Sequence, residues 1–333
     1  MANLGLVIFC DKKEGTTKLK FLKRIILKIK DFFSKEFVCF PIKKVKVNKD
    51  LNIYFIKLKY TLDEISEFKH FKIKKFKKNI QKHLTENFLD KCIFPAFAPE
   101  NLEFDSCIKN PFSGYFIYTA LLVSILEIIA SKKGVSVKEF DIGIIQGDNH
   151  KLFYSYIKIL SPLVKFITII TNKKEYVQEK IEEVYDETGL SIRVTDDIES
   201  GLDNIDIVIN LGDVGKFKKD KKIKSKAIVI NYGNAKSDGT MFDNIIIDGI
   251  SIQFDNSLET ILNQNAIRCF TKIELASMIF CHKKSICANI NKNNVDNKII
   301  DDIFSHFIKS GCKITGFTGR FQGIEDKNLE LRI

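Results

Sequence analysis

An α/β fold built on a doubly wound parallel sheet, preceded by an α+β domain, is what this sequence predicts. Three observations carry it. From Lys138 to Asn210, strand-length apolar runs alternate with runs of helical period. The strand-length runs are continuously apolar, as strands covered on both faces must be. Before residue 98, strand, helix and hairpin signals occur without that alternation. The expected division is therefore a first domain over 1–98 and a second over 99–333.

In the second domain, Ile142 to Ile145 and Lys165 to Thr171 read as neighbouring parallel strands, with the helix Leu152 to Leu160 between them. A charged amphipathic helix, Tyr176 to Tyr185, leads to short strands at Ser191 to Val194 and Ile205 to Asn210. Ala227 to Asn231 and Asn244 to Ile247 read as further strands. Tyr115 to Ala130 is a core helix with Gly134 as its C-cap. Glu274 to Cys281 and Ile299 to Lys309 close the chain as helices, with a strand at Lys313 to Phe317 and an Asn-rich loop at Asn291 to Asn297. This order is a Rossmann-like nucleotide-binding layout.

In the first domain, Leu4 to Cys10 reads as a buried strand and Lys18 to Lys35 as a helix with one apolar and one lysine face. Glu36 to Val47 and Leu51 to Leu58 form a hairpin turned at Asn48-Lys49-Asp50. Glu67 to His83 reads as a helix burying a stripe of Phe68, Phe71, Ile73, Phe76 and Ile80. Two prolines make Cys92 to Pro99 read as the boundary loop.

The chain has 333 residues, 45% hydrophobic, with a formal net charge of +11. That is enough length and apolar content for large cores, and it excludes an intrinsically disordered protein. Lysine, not arginine, supplies the charge. Base and phosphate readers rely on arginine forks, so the composition speaks against a nucleic-acid surface. None of the eight cysteines forms a C-x-x-C pair, so no zinc set is expected. The start MANLGLVIFCDKK lacks the features of a signal peptide, and a cytoplasmic location is expected. The longest apolar run, Phe116 to Ala130, falls short of the roughly 20 residues a transmembrane helix needs.

The turn after the first nucleotide strand reads Gln146-Gly147-Asp148-Asn149-His150-Lys151. A dinucleotide turn carries G-x-G-x-x-G so that backbone can approach the pyrophosphate at a helix N-terminus. One glycine remains here. Gly147, Asp148 and Asn149 still offer N–H groups to an anion. Thr171, Asn172 and Lys173 stand where a cofactor ribose is read; with no acid there, NADP is expected over NAD. Gly212 and Asp213, and Asn231 and Gly233, follow later strands at the same carboxyl edge. If a dinucleotide binds, Gly147→Val is expected to weaken binding more than fold stability.

The order of segments from about Asn110 to Thr318 resembles the long-chain acyl-carrier-protein reductases and the predicted amino-acid dehydrogenases. More distantly it is similar to glutamyl-tRNA reductase and shikimate dehydrogenase. Ser113-Gly114-Tyr115 stands where these families carry Thr-Gly-Asn. Ile145 to Leu152 replaces their Val-Gly-Ala-Thr-Gly-x-Ile-Gly turn, Ile205 to Ile209 matches their Ala-Asp-Ile-Val-Ile strand, and Cys269 to Ala276 resembles a helix start of the Cys-x-Ala-Glu kind. The resemblance implies a nicotinamide cofactor and a reactive Cys269 that forms a thioester. Cys269 lies two residues too far from Glu274, and direct spacing puts Thr271 there.

Two functions follow from these residues. One is an NAD(P)-dependent oxidoreductase acting on an acyl, aldehyde or amino-acid-like substrate. The other is a non-catalytic Rossmann-like protein holding a small ligand or a protein partner. The lysine-rich stretches Lys18 to Lys35 and Lys69 to Lys82 open a third, a membrane-surface or RNA contact.

Overall fold

The computed structural model describes residues 2–10, 37–38, 42–47, 49, 51–95, 97–102, 104, 107–109, 115–147, 150–212, 227–232, 245–267, 269–281, 297–320 and 331–332. The expected helix Lys18 to Lys35, Ser113-Gly114 and the expected Asn-rich loop before Asn297 lie outside these residues, while Asn297 itself begins a helix. Packing divides the chain into two compact units, Met1–Pro111 with Asn256–Leu275, and Phe112–Asp255 with Ala276–Ile333.

The first unit holds a five-stranded sheet in the order β2-β3-β1-β4-β5. Its strands are β1 (Ala2–Ile8), β2 (Lys43–Lys46), β3 (Leu51–Lys57), β4 (Lys91–Phe94) and β5 (Cys107–Lys109). β2 and β3 form the expected antiparallel hairpin, while β1 pairs in parallel with β3 and β4. Cys92 to Pro99 is not a loop throughout. Cys92, Ile93 and Phe94 are buried in β4, between β1 and β5. The prolines follow the strand rather than interrupt it, since Pro95 comes directly after Phe94. For the same reason the division falls after Pro111, because β5 extends this sheet by pairing with β4.

Helix α1 (Leu62–Ser66) starts in a capping box between Thr61 and Glu64. Helix α2 (His70–Glu86) buries Phe76, Ile80, His83 and Leu84. Phe76 meets Phe37 edge-on at 5.5 Å, inside an aromatic group that includes Tyr60 and Phe68. Phe71, expected in the buried stripe, is 77% exposed. It lies five residues before Phe76, which places it on another side of a helix with 3.6 residues per turn.

The second unit holds an eight-stranded sheet. Helix α3 (Tyr115–Lys133) buries Ile117 to Leu122, Ile125, Leu126, Ile129 and Ala130, and Gly134 ends it in the left-handed conformation, at φ 69°. The strands are β6 (Ile142–Ile145), β7 (Phe166–Ile170), β8 (Ser191–Thr195), β9 (Ile207–Asn210), β10 (Ile228–Asn231), β11 (Ile246–Gln253), β12 (Lys313–Arg320) and β13 (Leu331–Arg332). The chain between them forms α4 (His150–Leu160), α5 (Lys174–Thr188), α6 (Ile198–Leu202), α7 (Asn256–Asn265), α8 (Lys272–Phe280) and α9 (Asn297–Lys309), of which α7 and the start of α8 belong to the first unit. Among the described residues no helix is long and apolar enough to cross a membrane.

The sheet order is β8-β7-β6-β9-β10-β11-β12-β13, and every pair from β8 to β11 is parallel. In order of appearance the parallel strands lie 3-2-1-4-5-6, the arrangement of a dinucleotide-binding Rossmann fold. β6, β9 and β10 are buried at every residue, which explains their unbroken apolar sequences. β12 then pairs antiparallel with β11. The chain reverses direction across the sheet between β6 and β9, so the switch point lies at their carboxyl ends.

Candidate functional site

Two glycines meet at that switch point. The residues after β6 and β9 continue the sheet beyond the strand ends. Gln146 N–H donates to the Ile170 carbonyl at 3.0 Å, and Leu211 N–H to the Ile145 carbonyl at 3.0 Å. Their backbones then come together. A Cβ on Gly147 would lie 1.9 Å from the Leu211 carbonyl oxygen, and one on Gly212 would lie 2.6 Å from the Gln146 carbonyl oxygen. Both positions need glycine for contact between two chain segments, whether or not a phosphate ever approaches.

Gln146 stands in the turn where the family pattern has glycine. Its side-chain carbonyl accepts a hydrogen bond from the Thr171 hydroxyl at the tip of β7. Thr171 is buried, and its oxygen also accepts from Lys173 N–H at 3.0 Å. The tips of β6 and β7 are thus tied by side chains where a dinucleotide fold reads ribose. Asn172 and Lys173 are exposed. Beside them Lys174 pairs with Asp196 at 2.8 Å. That hydrogen bond holds the exposed Asp196 carboxyl below its usual range.

On the other side of the switch point, polar side chains form a ladder from the ends of β9 and β10 to Asp248, the third residue of β11. Gly212 N–H donates to Asn210 Oδ1 at 3.2 Å, Asn210 Nδ2 to Asn231 Oδ1 at 2.9 Å, and Asn231 Nδ2 to Asp248 Oδ1 at 2.6 Å. Asn210 is wholly buried and Asn231 nearly so, while Asp248 is exposed. A buried amide that left these groups unpaired would cost about 1–3 kcal/mol, so the ladder fixes the strand ends in register. Asp248 sits where the pairing of β11 with β12 shifts by a residue, and such bulges re-aim a side chain.

Three tyrosines pack beneath this edge. The Tyr232 ring meets Tyr118 edge-on at 5.0 Å and Tyr156 at 5.2 Å. Thr119 donates to the Tyr156 hydroxyl at 3.0 Å. The buried Tyr232 hydroxyl has no hydrogen-bond partner among the described residues, and burial holds its pKa well above 10.0. Burial likewise pushes Tyr118 up to about 12; a hydrogen bond from the Ile250 backbone pulls the other way, and the Asp248 charge adds to the rise.

Of the expected site residues, Gly147, Thr171, Asn172, Lys173, Gly212 and Asn231 lie at the carboxyl edge of this one sheet. Asp148, Asn149, Asp213 and Gly233 lie outside the described residues. Cys269 is buried and belongs to the first unit. Thr271 and Glu274 nearby form the capping box of α8, with Thr271 N–H donating to Glu274 at 2.7 Å and Glu274 N–H to Thr271 Oγ1 at 3.2 Å. Asn210, Asp248 and the tyrosine group escape a motif search. The signal for the ladder is a repeat: β9 and β10 share the sequence IVIN and end in the same asparagine. Among the described residues no group of three His, Cys, Asp or Glu side chains could hold a metal ion.

Comparison with solved structures adds a set of distant likenesses. They are dehydrogenases and carbamoyltransferases. L-tryptophan dehydrogenase from Nostoc punctiforme is 10% identical, over 91% of this chain and 80% of its own, with a TM-score of 0.31. Anabolic ornithine carbamoyltransferase from Campylobacter jejuni is 12% identical, over 93% and 88%, with a TM-score of 0.30. The NAD-complexed D-isomer specific 2-hydroxyacid dehydrogenase from Lactobacillus delbrueckii ssp. bulgaricus is 10% identical, over 92% and 96%, with a TM-score of 0.25. No family model matches the chain, and neither does any curated protein. The Rossmann-like assignment stands on the strand order itself.

Gly147→Ala is expected to lower stability by about 1–3 kcal/mol, because the new methyl overlaps a backbone carbonyl that cannot swing away. Urea unfolding measures it, and a loss below about 0.5 kcal/mol would show that the two segments can part. This reverses the ranking drawn from sequence for Gly147→Val, since the fold suffers first. Tyr118 gives a second expectation. Its folded pKa of about 12 exceeds the ordinary 10.0, so the neutral phenol favours the folded state. That contribution is complete below pH 10 and is lost as pH rises toward 12. Tyr118→Phe should flatten the alkaline fall in stability across that window; an unchanged fall would assign it to other groups.

Proposed function

We propose that this chain is a divergent relative of the NAD(P)-dependent oxidoreductases that has lost dinucleotide binding and holds a small polar ligand at the carboxyl edge of its second sheet. The observation that carries this reading is the Gln146–Thr171 hydrogen bond. A glutamine side chain fills the turn where backbone must approach pyrophosphate, and it engages the residue at the ribose-reading strand tip. Binding a dinucleotide would require breaking that contact and moving a turn wedged against Leu211. The ligand-facing group in this reading is the exposed Asp248 carboxylate, held in place by the buried strand-end asparagines behind it. It accepts hydrogen bonds from hydroxyl, amide or ammonium groups.

A second reading keeps the chemistry: an NADP- or NAD-dependent oxidoreductase in which Thr171, Asn172 and Lys173 meet the ribose and Cys269 acts as nucleophile. The full set of six parallel strands in dinucleotide-binding order favours it. Titration with NADPH and NADH, read by nicotinamide fluorescence, separates the two. The first reading expects no saturation at micromolar cofactor, and Gln146→Gly to leave that unchanged or to gain weak binding. Saturable micromolar binding by the unaltered protein would restore the oxidoreductase.

A further inference from the structure

The outer face of α2 has no role in the site above, and its composition is unusual for a solvated helix surface. Exposed positions recur along it at Phe71, Lys74, Lys78, Gln81, Lys82 and Thr85, the spacing of one helical ridge. Its inner residues, Phe76, Ile80, His83 and Leu84, are committed to the core of the first unit. The helix cannot turn that face to anything else. At the near end of the ridge the Phe71 ring is 77% exposed, and just past the far end the Phe88 ring is 83% exposed.

Phe88 is the more telling of the two. It ends the helix in the left-handed conformation, at φ 54°, where glycine is the ordinary occupant. The reverse turn there is complete, with Leu89 N–H on the Leu84 carbonyl at 2.9 Å and Phe88 N–H on the Thr85 carbonyl at 3.2 Å. Nothing in the turn needs a phenyl group. A bulky side chain is thus held in a strained backbone position and presented to solvent, the kind of strain that recurs at ligand clamps and other functional sites. Lys74 and Lys78 make no ion pair among the described residues, and Lys82 shares Glu86 at 3.5 Å, with both side chains largely in water.

We propose that the α2 ridge is a docking surface for an anionic lipid bilayer. Phe71 and Phe88 enter the headgroup layer at the two ends, and Lys74, Lys78 and Lys82 meet lipid charge between them. Charge complementarity supports this occupant, as lysine ridges with flanking aromatics favour anionic interfaces. Spacing favours a surface over a nucleic-acid strand. Helical rise from Phe71 to the helix end at Glu86 is about 22 Å, with Phe88 two residues further on, whereas bases stacked along a strand lie about 3.4 Å apart. The ridge also lacks the arginine forks of base readers.

The test is co-sedimentation of the full chain with phosphatidylcholine vesicles, with and without phosphatidylserine, at low and high salt. Binding is expected with phosphatidylserine at low salt, and not with phosphatidylcholine alone or at high salt. Phe71→Ser with Phe88→Gly should reduce binding by about tenfold, as should Lys74→Glu with Lys78→Glu. Glycine suits the backbone at position 88, so Phe88→Gly is expected to keep the fold, checked by circular dichroism, while losing binding. Equal sedimentation with both vesicle types, or undiminished binding by the phenylalanine variants, overturns the proposal. So does phenylalanine-dependent binding to poly(U) RNA in place of vesicles.

Discussion

Two backbone segments crossing without side chains between them set the character of the second sheet. The turn after β6 and the turn after β9 touch at Gly147 and Gly212, so closely that neither position has room for a methyl group. In an open α/β sheet this is the crevice that receives a ligand. Here the first layer of the crevice is filled by the chain itself. Everything else at the edge follows from that contact. The Gln146 side chain reaches toward β7, and the asparagine ladder reaches away from the contact through β10 to β11.

The ladder and the tyrosine group beneath it carry opposite consequences. Asn210 and Asn231 satisfy each other, so their burial stabilises one register of the strand ends. Tyr232 buries a hydroxyl with no described partner, at a cost of about 1–3 kcal/mol. Its aromatic contacts with Tyr118 and Tyr156 offset part of that. The edge is thus made rigid on one side, with the exposed Asp248 at the end of the ladder.

Much of the second sheet was legible in the sequence because its central strands are buried on both faces. Ile142 to Ile145 and the two IVIN runs can be little else. β4 was hidden, since three apolar residues beside Pro95 carry too little pattern to separate a buried strand from a loop. β11 reads short at Ile247 because Asp248, Gly249 and Ser251 interrupt its apolar run where it bulges against β12. The site was legible in outline only. Strand ends can be placed from sequence, and so the carboxyl edge can be. The partner of a polar residue cannot, because Gln146 and Thr171, or Asn210 and Asn231, meet through the sheet order and not through their spacing. Gly147 shows the same limit: a lone glycine in a turn looks like the remnant of a phosphate loop, yet the carbonyl of Leu211, far along the chain, accounts for it.

Native-state hydrogen exchange tests the closed switch point most directly. The amides of Gln146, Leu211 and Tyr232 donate to Ile170, Ile145 and Asn210 beyond the strand ends. If the crossing backbones lock the edge, these three amides exchange only through unfolding of the whole sheet, with the same free energy as the centre of β6. Exchange through local opening, at a free energy well below that of β6, would show a crevice that opens to admit a ligand and would contradict the account.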